Sequence, residues 1–297
     1  MSRRVVLLVN PTAGGGRGGR VAERAQARLS ERGLTVGVVQ GRSAAEAGDL
    51  LRSALADTSS GLHGVVAVGG DGLVSLAVQG VARSGVPLGI IPTGTGNDIA
   101  RDLGLPLRDP EAAADLVAAG ATREVDLGRA GERWFAGVLG SGFDSMVNER
   151  ANRMSWPLGR SRYNVAILAE LRTFRPLAYT LTLDGEVWET EAMLVAVGNT
   201  SSYGGGMRVC PGARPDDGLL DVTLLGPLPT WEFLRVFPSV YRGTHVRHRA
   251  VTVRTARRVT LVAEGVTAYA DGERVGELPV DIAVVPGALR VFSGPAV

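Results

Sequence analysis

Along residues 1–125 the apolar positions alternate between two periods. Val5–Val9 is an unbroken apolar run of strand type, and Val21, Ala22, Ala25 and Leu29 then share one face of a helix over Arg20–Leu29. The succession repeats, with a strand at Leu34–Val39, a helix at Ala44–Ala56 and a strand at Val65–Val68. A helix through Val74, Ala77, Val78 and Val81 follows, then a strand at Leu88–Ile91. Asp109-Pro110 reads as an N-cap with proline at the first helical position, and Gly120 as the helix stop. Strands alternating with helices predict a doubly wound, Rossmann-like α/β sheet, whose ligands sit outside the carboxyl ends of its strands.

After residue 125 the pattern becomes that of an antiparallel β domain. Strand-like runs flank Asp184-Gly185 within residues 181–199 and Asp271-Gly272 within residues 266–275, both favoured hairpin turns. Residues 218–225 and 251–262 are further strand candidates, and the whole predicts an antiparallel β-sandwich. Two helix-like stretches interrupt it, near Arg162–Thr173 and Thr230–Tyr241. Val280–Val285 and Leu289–Phe292 read as two last strands that either close the β domain or return to the first sheet. The expected division is therefore an α/β domain over 1–125, with 286–297 a candidate to rejoin it, and a β-rich domain over 126–285.

Composition narrows the function classes. With 45% hydrophobic residues in 297, the chain can build two cores. It has no lysine, its positive charge is all arginine, and the formal net charge of +2 argues against bulk nucleic-acid binding. His63, His245, His248 and the lone Cys210 form no metal-ligand spacing. A single cysteine and no signal-type segment predict a cytoplasmic protein, and no run reaches the ~18 apolar residues of a membrane span.

The chemistry is concentrated in three glycine-rich turns, each directly after a predicted strand: Asn10–Arg20 (NPTAGGGRGGR), Gly69–Gly72 (GGDG) and Pro92–Arg101 (PTGTGNDIAR). Glycines let backbone N–H groups approach a ligand, and a helix N-terminus favours phosphate. Neither the Gly-Lys-Ser/Thr ending of a P-loop nor a convincing dinucleotide spacing is present. Taken singly, the first turn is a flexible loop, Asn97 or Asp98 a helix N-cap, and Asp271-Gly272 an ordinary hairpin. Three such turns at one sheet edge point to a site. The aspartate in GGDG repels phosphate, and no P-loop lysine offsets it.

The trio resembles the diacylglycerol kinase catalytic-domain family, specifically the small bacterial soluble lipid kinases, whose pattern is N-P-x-S-G, G-G-D-G-T and P-x-G-T-x-N-D-x-A-R. In the second half, residues 203–222 (YGGGMRVCPGARPDDGLLDV) and 270–273 (ADGE) resemble the family's later elements. The resemblance implies ATP and Mg²⁺ as cofactors and a lipid alcohol, most often diacylglycerol, as acceptor. It implies that Asn10, Pro11, Thr12, Ala13, Gly14, Gly69, Gly70, Asp71, Gly72, Leu73, Ser75, Thr95, Asn97 and Asp98 line the nucleotide site. Asp71 would hold Mg²⁺ through water, Glu273 would be the general base with Asp271 beside it, and Asp217 with the carbonyls of Arg214 and Leu219 would hold a second, structural Mg²⁺. Leu73 stands where the family has threonine, Ser75 where asparagine is usual and Ala13 where serine is common, so hydroxyl contacts are lost while the backbone cradle persists.

A bilayer substrate and no membrane span imply peripheral docking on the inner face of the membrane, with a homodimer as a further expectation. Residues 161–174 and 230–243 mix apolar residues with arginine and serve either as docking elements or as core-packing amphipathic helices. Residues 241–258 are arginine-rich without an acid and serve either as a lipid-facing surface or as a solvated β face. The alternatives to a lipid kinase are a NAD kinase-like enzyme, which shares the GGDG turn, and a catalytically silent nucleotide- or lipid-binding regulator.

Overall fold

The computed structural model describes residues 3–10, 16, 18–57, 61–143, 145–147, 150, 154, 165, 169 and 175–294. Pro11–Gly14 and Arg17 lie outside the described residues, as does the helix expected at 162–173 apart from two isolated positions. The chain forms two compact units, one of residues 1–127, 215–217 and 285–297, the other of residues 128–214 and 218–284. The short 215–217 segment, expected in the β half, belongs to the first unit. Asp126 explains the exchange, since its N–H donates to the Pro215 carbonyl at 2.7 Å and its Oδ1 accepts from the Gly287 N–H at 2.9 Å.

In the first unit β1 (Arg3–Val9), α1 (Gly18–Glu31), β2 (Leu34–Val39), α2 (Ala44–Ala56), β3 (Leu62–Gly69), α3 (Asp71–Val81) and β4 (Leu88–Pro92) follow in order. Short α4 (Asp98–Asp102) and α5 (Pro110–Ala119) come next. The strands lie side by side as β2-β1-β3-β4, all parallel. One face of this sheet packs on Ala22, Ala25 and Leu29 of α1 and on Ala113, Ala114 and Val117 of α5. The spacing of Ala22, Ala25 and Leu29 is the helical one, which makes the periodicity of α1 readable. Asp109 caps α5 by accepting from Glu111 and Ala112 N–H, and Gly120 ends it at φ 80°. Each fully buried leucine, such as Leu7 or Leu29, contributes roughly 1.5–3 kcal/mol of burial.

The second unit draws on β5 (Thr122–Ala130), β6 (Arg133–Phe135), β7 (Val138–Gly142), β8 (Leu177–Leu183), β9 (Glu186–Ala192), β10 (Leu194–Gly198) and β11 (Leu220–Leu225). After them come α6 (Thr230–Val236), 3₁₀ turns at Phe237–Arg242 and Thr244–Arg247, and β12 (Val251–Ala256), β13 (Arg258–Val262), β14 (Thr267–Ala270), β15 (Glu273–Glu277) and β16 (Val280–Phe292). One sheet runs β12-β11-β10-β7-β14-β15, antiparallel throughout. The start of β16 pairs antiparallel with β13, and β13 with β8 and β8 with β9 in turn. Leu181, Val259, Leu261 and Ile282 from these strands share a core with Val195, Val197, Val222 and Ala268 of the six-stranded sheet. Two antiparallel sheets around one apolar core make a sandwich.

The two last strands expected from sequence are one continuous strand. The first part of β16 pairs with β13, and Val291 near its end pairs parallel with Leu88 of β4. Pro286-Gly287 reads locally as a break, but pairing on either side carries the strand through.

Cys210 is fully buried, its thiol donating to the Asp221 carbonyl at 3.5 Å, and burial pushes its pKa up to about 12. At pH 8 the native thiol should react with a disulfide reagent more than about a hundredfold slower than in urea, where an ordinary thiol pKa of about 8.5 returns. The unfolded chain ionises first as pH rises, so this group lowers stability from about pH 8.5 toward pH 12. Equal reactivity in both states would show that the site is open.

Candidate functional site

The carboxyl ends of β1, β3 and β4 bring the described parts of the glycine turns together. The Asn10 N–H donates to the Val68 carbonyl at 3.4 Å, and the Thr93 N–H donates to the Gly69 carbonyl at 2.9 Å. A side chain on Gly94 would put its Cβ 2.7 Å from the Gly70 Cα, and one on Gly70 would put its Cβ 3.2 Å from the Gly94 Cα. Both turns therefore require glycine, because their backbones nearly touch. Gly70 is the N-cap of α3 and offers no side-chain cap, so the first N–H groups of an eleven-residue helix face the turn.

Asp71, the first residue of α3, is half-buried, and its Oδ1 accepts from the Ile99 N–H of α4 at 3.2 Å. The carboxylate thus ties the second turn to the third across 28 positions of sequence. Its proton affinity is raised by burial first and by the nearby Asp98 carboxylate second, against the pull of backbone N–H donors. Asp98 is buried and paired with Arg101, whose guanidinium also donates to the Gly96 carbonyl at 2.7 Å. Asn97 occupies the N-cap position of α4, but in the left-handed region at φ 53° and without a cap bond. Its amide instead clasps Gly94, accepting from the N–H at 3.0 Å and donating to the carbonyl at 2.8 Å. The simple N-cap reading is thereby corrected for Asn97, whose amide is taken up by Gly94 across the turn, while Asp98 pairs with Arg101 of its own helix.

Around this centre Gly72 and Thr95 are exposed. Leu73 folds back onto Gly69, with its Cδ2 2.6 Å from where a Gly69 Cβ would sit. Leucine is accommodated there only because residue 69 is glycine. Ser75 is buried, and its Oγ has no hydrogen-bond partner among the described residues, as is also true of Thr93 Oγ1.

The β-domain candidates occupy two turns. Asp271 (φ 51°) and Gly272 (φ 82°) form the two-residue link between β14 and β15, where Ala270 pairs with Glu273. The Asp271 carboxylate accepts from the N–H groups of Ala136 and Gly137, each at 2.9 Å. Asp184 does the same at the other Asp-Gly hairpin (φ 50°), accepting from the N–H groups of Arg257 and Arg258. The Asp271 carboxylate thus pins a neighbouring strand connection from its place in the turn. Glu273, by contrast, is exposed at the start of β15, with no hydrogen bond or ion pair on its carboxylate among the described residues. Asn199 was missed from sequence. It is buried, donates from Nδ2 to the Ala136 carbonyl at 3.0 Å and from its N–H to the Gly137 carbonyl at 2.9 Å, and so fixes the same peptide as Asp271. The signal was a polar residue closing the apolar run LVAVG. Arg214, Asp217 and Leu219 lie in the loop that leads into β11, with Asp217 exposed, and among the described residues no group of three or more His, Cys, Asp or Glu is placed to hold a metal ion.

A parallel sheet with glycine turns and an open helix N-terminus at its carboxyl edge, followed by an antiparallel sandwich, defines a two-domain protein of nucleotide-phosphate-binding type. The diacylglycerol kinase catalytic domain model matches residues 4–130, and the YegS C-terminal NAD kinase beta sandwich-like domain model matches residues 137–293. The chain belongs to the diacylglycerol kinase catalytic-domain family. It is 46% identical to a diacylglycerol kinase of Mycobacterium tuberculosis, over 97% of this chain and 94% of that protein. It is 33% identical to a diacylglycerol kinase of Bacillus subtilis over 72% of each. The crystal structure of a diacylglycerol kinase from Bacillus anthracis superimposes with a TM-score of 0.76 at 23% identity, covering 100% of this chain and 98% of that one, a likeness of fold.

Proposed function

We infer that this chain is an ATP-dependent lipid kinase that phosphorylates diacylglycerol to phosphatidic acid at a membrane surface. The observation that carries the reading is the convergence of Gly70, Gly94 and Asp71 at the open end of α3, in a chain with near full-length likeness to diacylglycerol kinases. The backbone of Asn10–Gly14, Gly69–Ser75 and Thr95 receives the nucleotide phosphates, with Asn97 and Asp98 holding the third turn in shape. Glu273 accepts the proton of the acceptor hydroxyl as its oxygen bonds to the γ-phosphorus and the bond to the leaving ADP oxygen breaks. Asp271 and Asn199 position the strand connection beside the β14–β15 hairpin.

The donor set at Asp71 fits Mg²⁺. A half-buried carboxylate, with Asp98 close enough to raise its proton affinity, is a hard-oxygen site that a divalent cation would relieve. Held there through water, Mg²⁺ would offset charge on the phosphates. A second, structural Mg²⁺ at Asp217 and the Arg214 and Leu219 carbonyls is part of the same reading.

The test is phosphoryl transfer from γ-labelled ATP with diacylglycerol vesicles and NAD offered together. Label in phosphatidic acid is expected. Label in NADP, or nucleotide binding with no transfer, would overturn the assignment.

A further inference from the structure

We propose that the outer face of α6 and the 3₁₀ turns after it is the surface on which this protein docks on an anionic bilayer. The proposal deepens the lipid-kinase reading, but docking is measured without catalysis.

Residues 229–258 carry seven arginines and a single acid, Glu232. Glu232 is buried and turned inward, 3.1 Å from Arg249 and 3.3 Å from His248, so the segment presents no exposed carboxylate. Arg235, Arg242 and Arg247 are exposed and have no acidic partner among the described residues. Between them stand large apolar side chains open to solvent: Trp231 is 66% exposed, Leu234 46% and Tyr241 43%. Trp231 and Leu234 are three apart and lie on one side of α6, whereas Phe233 is buried.

The buried side is firmly anchored. Phe143 meets Phe233 edge-on at 5.2 Å, Phe233 stacks with Phe237 at 5.8 Å, and Phe237 meets Tyr241 edge-on at 6.2 Å. This aromatic ladder runs from the core out to the exposed Tyr241, so the outer face is held ready with little further ordering. One element thus has two unlike sides: Phe233 packs the core and Trp231 stands in solvent.

Charge chooses the occupant. A second copy bound through the same face would set Arg235, Arg242 and Arg247 against their own equivalents, because a two-fold interface is self-complementary. An anionic bilayer pairs with the arginines and accepts Trp231, Leu234 and Tyr241 at headgroup depth, where tryptophan and tyrosine are favoured. Free phosphate would meet the arginines but leave the apolar residues unsatisfied.

The experiment uses the full chain, sedimented with vesicles of phosphatidylcholine alone or with phosphatidylglycerol added, in comparison with Arg235→Gln/Arg242→Gln/Arg247→Gln and with Trp231→Ala. At about a fivefold gain per arginine near an anionic surface, the triple variant should bind the anionic vesicles about a hundredfold more weakly. Trp231→Ala should also bind more weakly, and wild-type Trp231 should be quenched by brominated lipid. Both variants should keep the wild-type melting temperature and their activity on dispersed short-chain diacylglycerol. Unchanged vesicle binding by both folded variants, equal wild-type binding to neutral vesicles, or a wild-type dimer that the triple variant dissolves would each overturn the docking surface. Charge-dependent sedimentation by a chain that transfers no phosphate would uphold the surface and refute the kinase reading alone.

Discussion

Glu273→Gln is expected to lower turnover with diacylglycerol by about 10²–10⁴-fold while leaving ATP affinity unchanged. The carboxylate is exposed and free of hydrogen-bond or salt-bridge partners among the described residues, so exchanging it for an amide of the same shape disturbs no contact there. What disappears is the ability to take a proton as the acceptor oxygen meets phosphorus. Stopped transfer with intact nucleotide binding, read by calorimetry beside a radiometric assay, separates a base from a folding residue. Turnover within a few-fold of wild type would remove Glu273 from that role. Asp271, two positions earlier, should behave oppositely and cost stability first, since its carboxylate holds two backbone N–H groups.

Asp71 is expected to show a split between its two substitutions. Asp71→Asn keeps an oxygen for the Ile99 N–H but loses the charge, so it should fold normally and lose about a hundredfold or more in turnover. Asp71→Ala loses both, leaves the Ile99 N–H without its acceptor, and should unfold about 1–3 kcal/mol more easily in urea. Asp217→Asn provides the contrast, with the Mg²⁺-dependent rise in melting temperature reduced and turnover affected less. Full turnover in Asp71→Asn would dispose of a cation role at this residue and leave only its tie between the turns.

How much of this was legible can be traced residue by residue. Helices α1 and α3 followed from apolar spacing, and α5 from the cap at Asp109 and the stop at Gly120, which are local chemistry alone. The Asp-Gly hairpins were equally local. Strand β5 was overlooked because Arg123, Glu124 and Asp126 break its apolar run, although Val125 and Leu127 are buried. The clasp of Asn97 on Gly94 and the reach of Asp71 to Ile99 were not readable, because each depends on which turns the sheet sets side by side. The motif names candidates, and only the fold says what each side chain holds.

Because β4 finds its far neighbour in residues close to Val291, the parallel sheet is incomplete until the strands of the sandwich and the residues around Val291 have left the ribosome. Until then an apolar edge, with its row of unmatched N–H and C=O groups, stands open while the intervening sandwich is being made. Synthesis of this protein therefore carries a built-in waiting period, and chaperone demand should concentrate there.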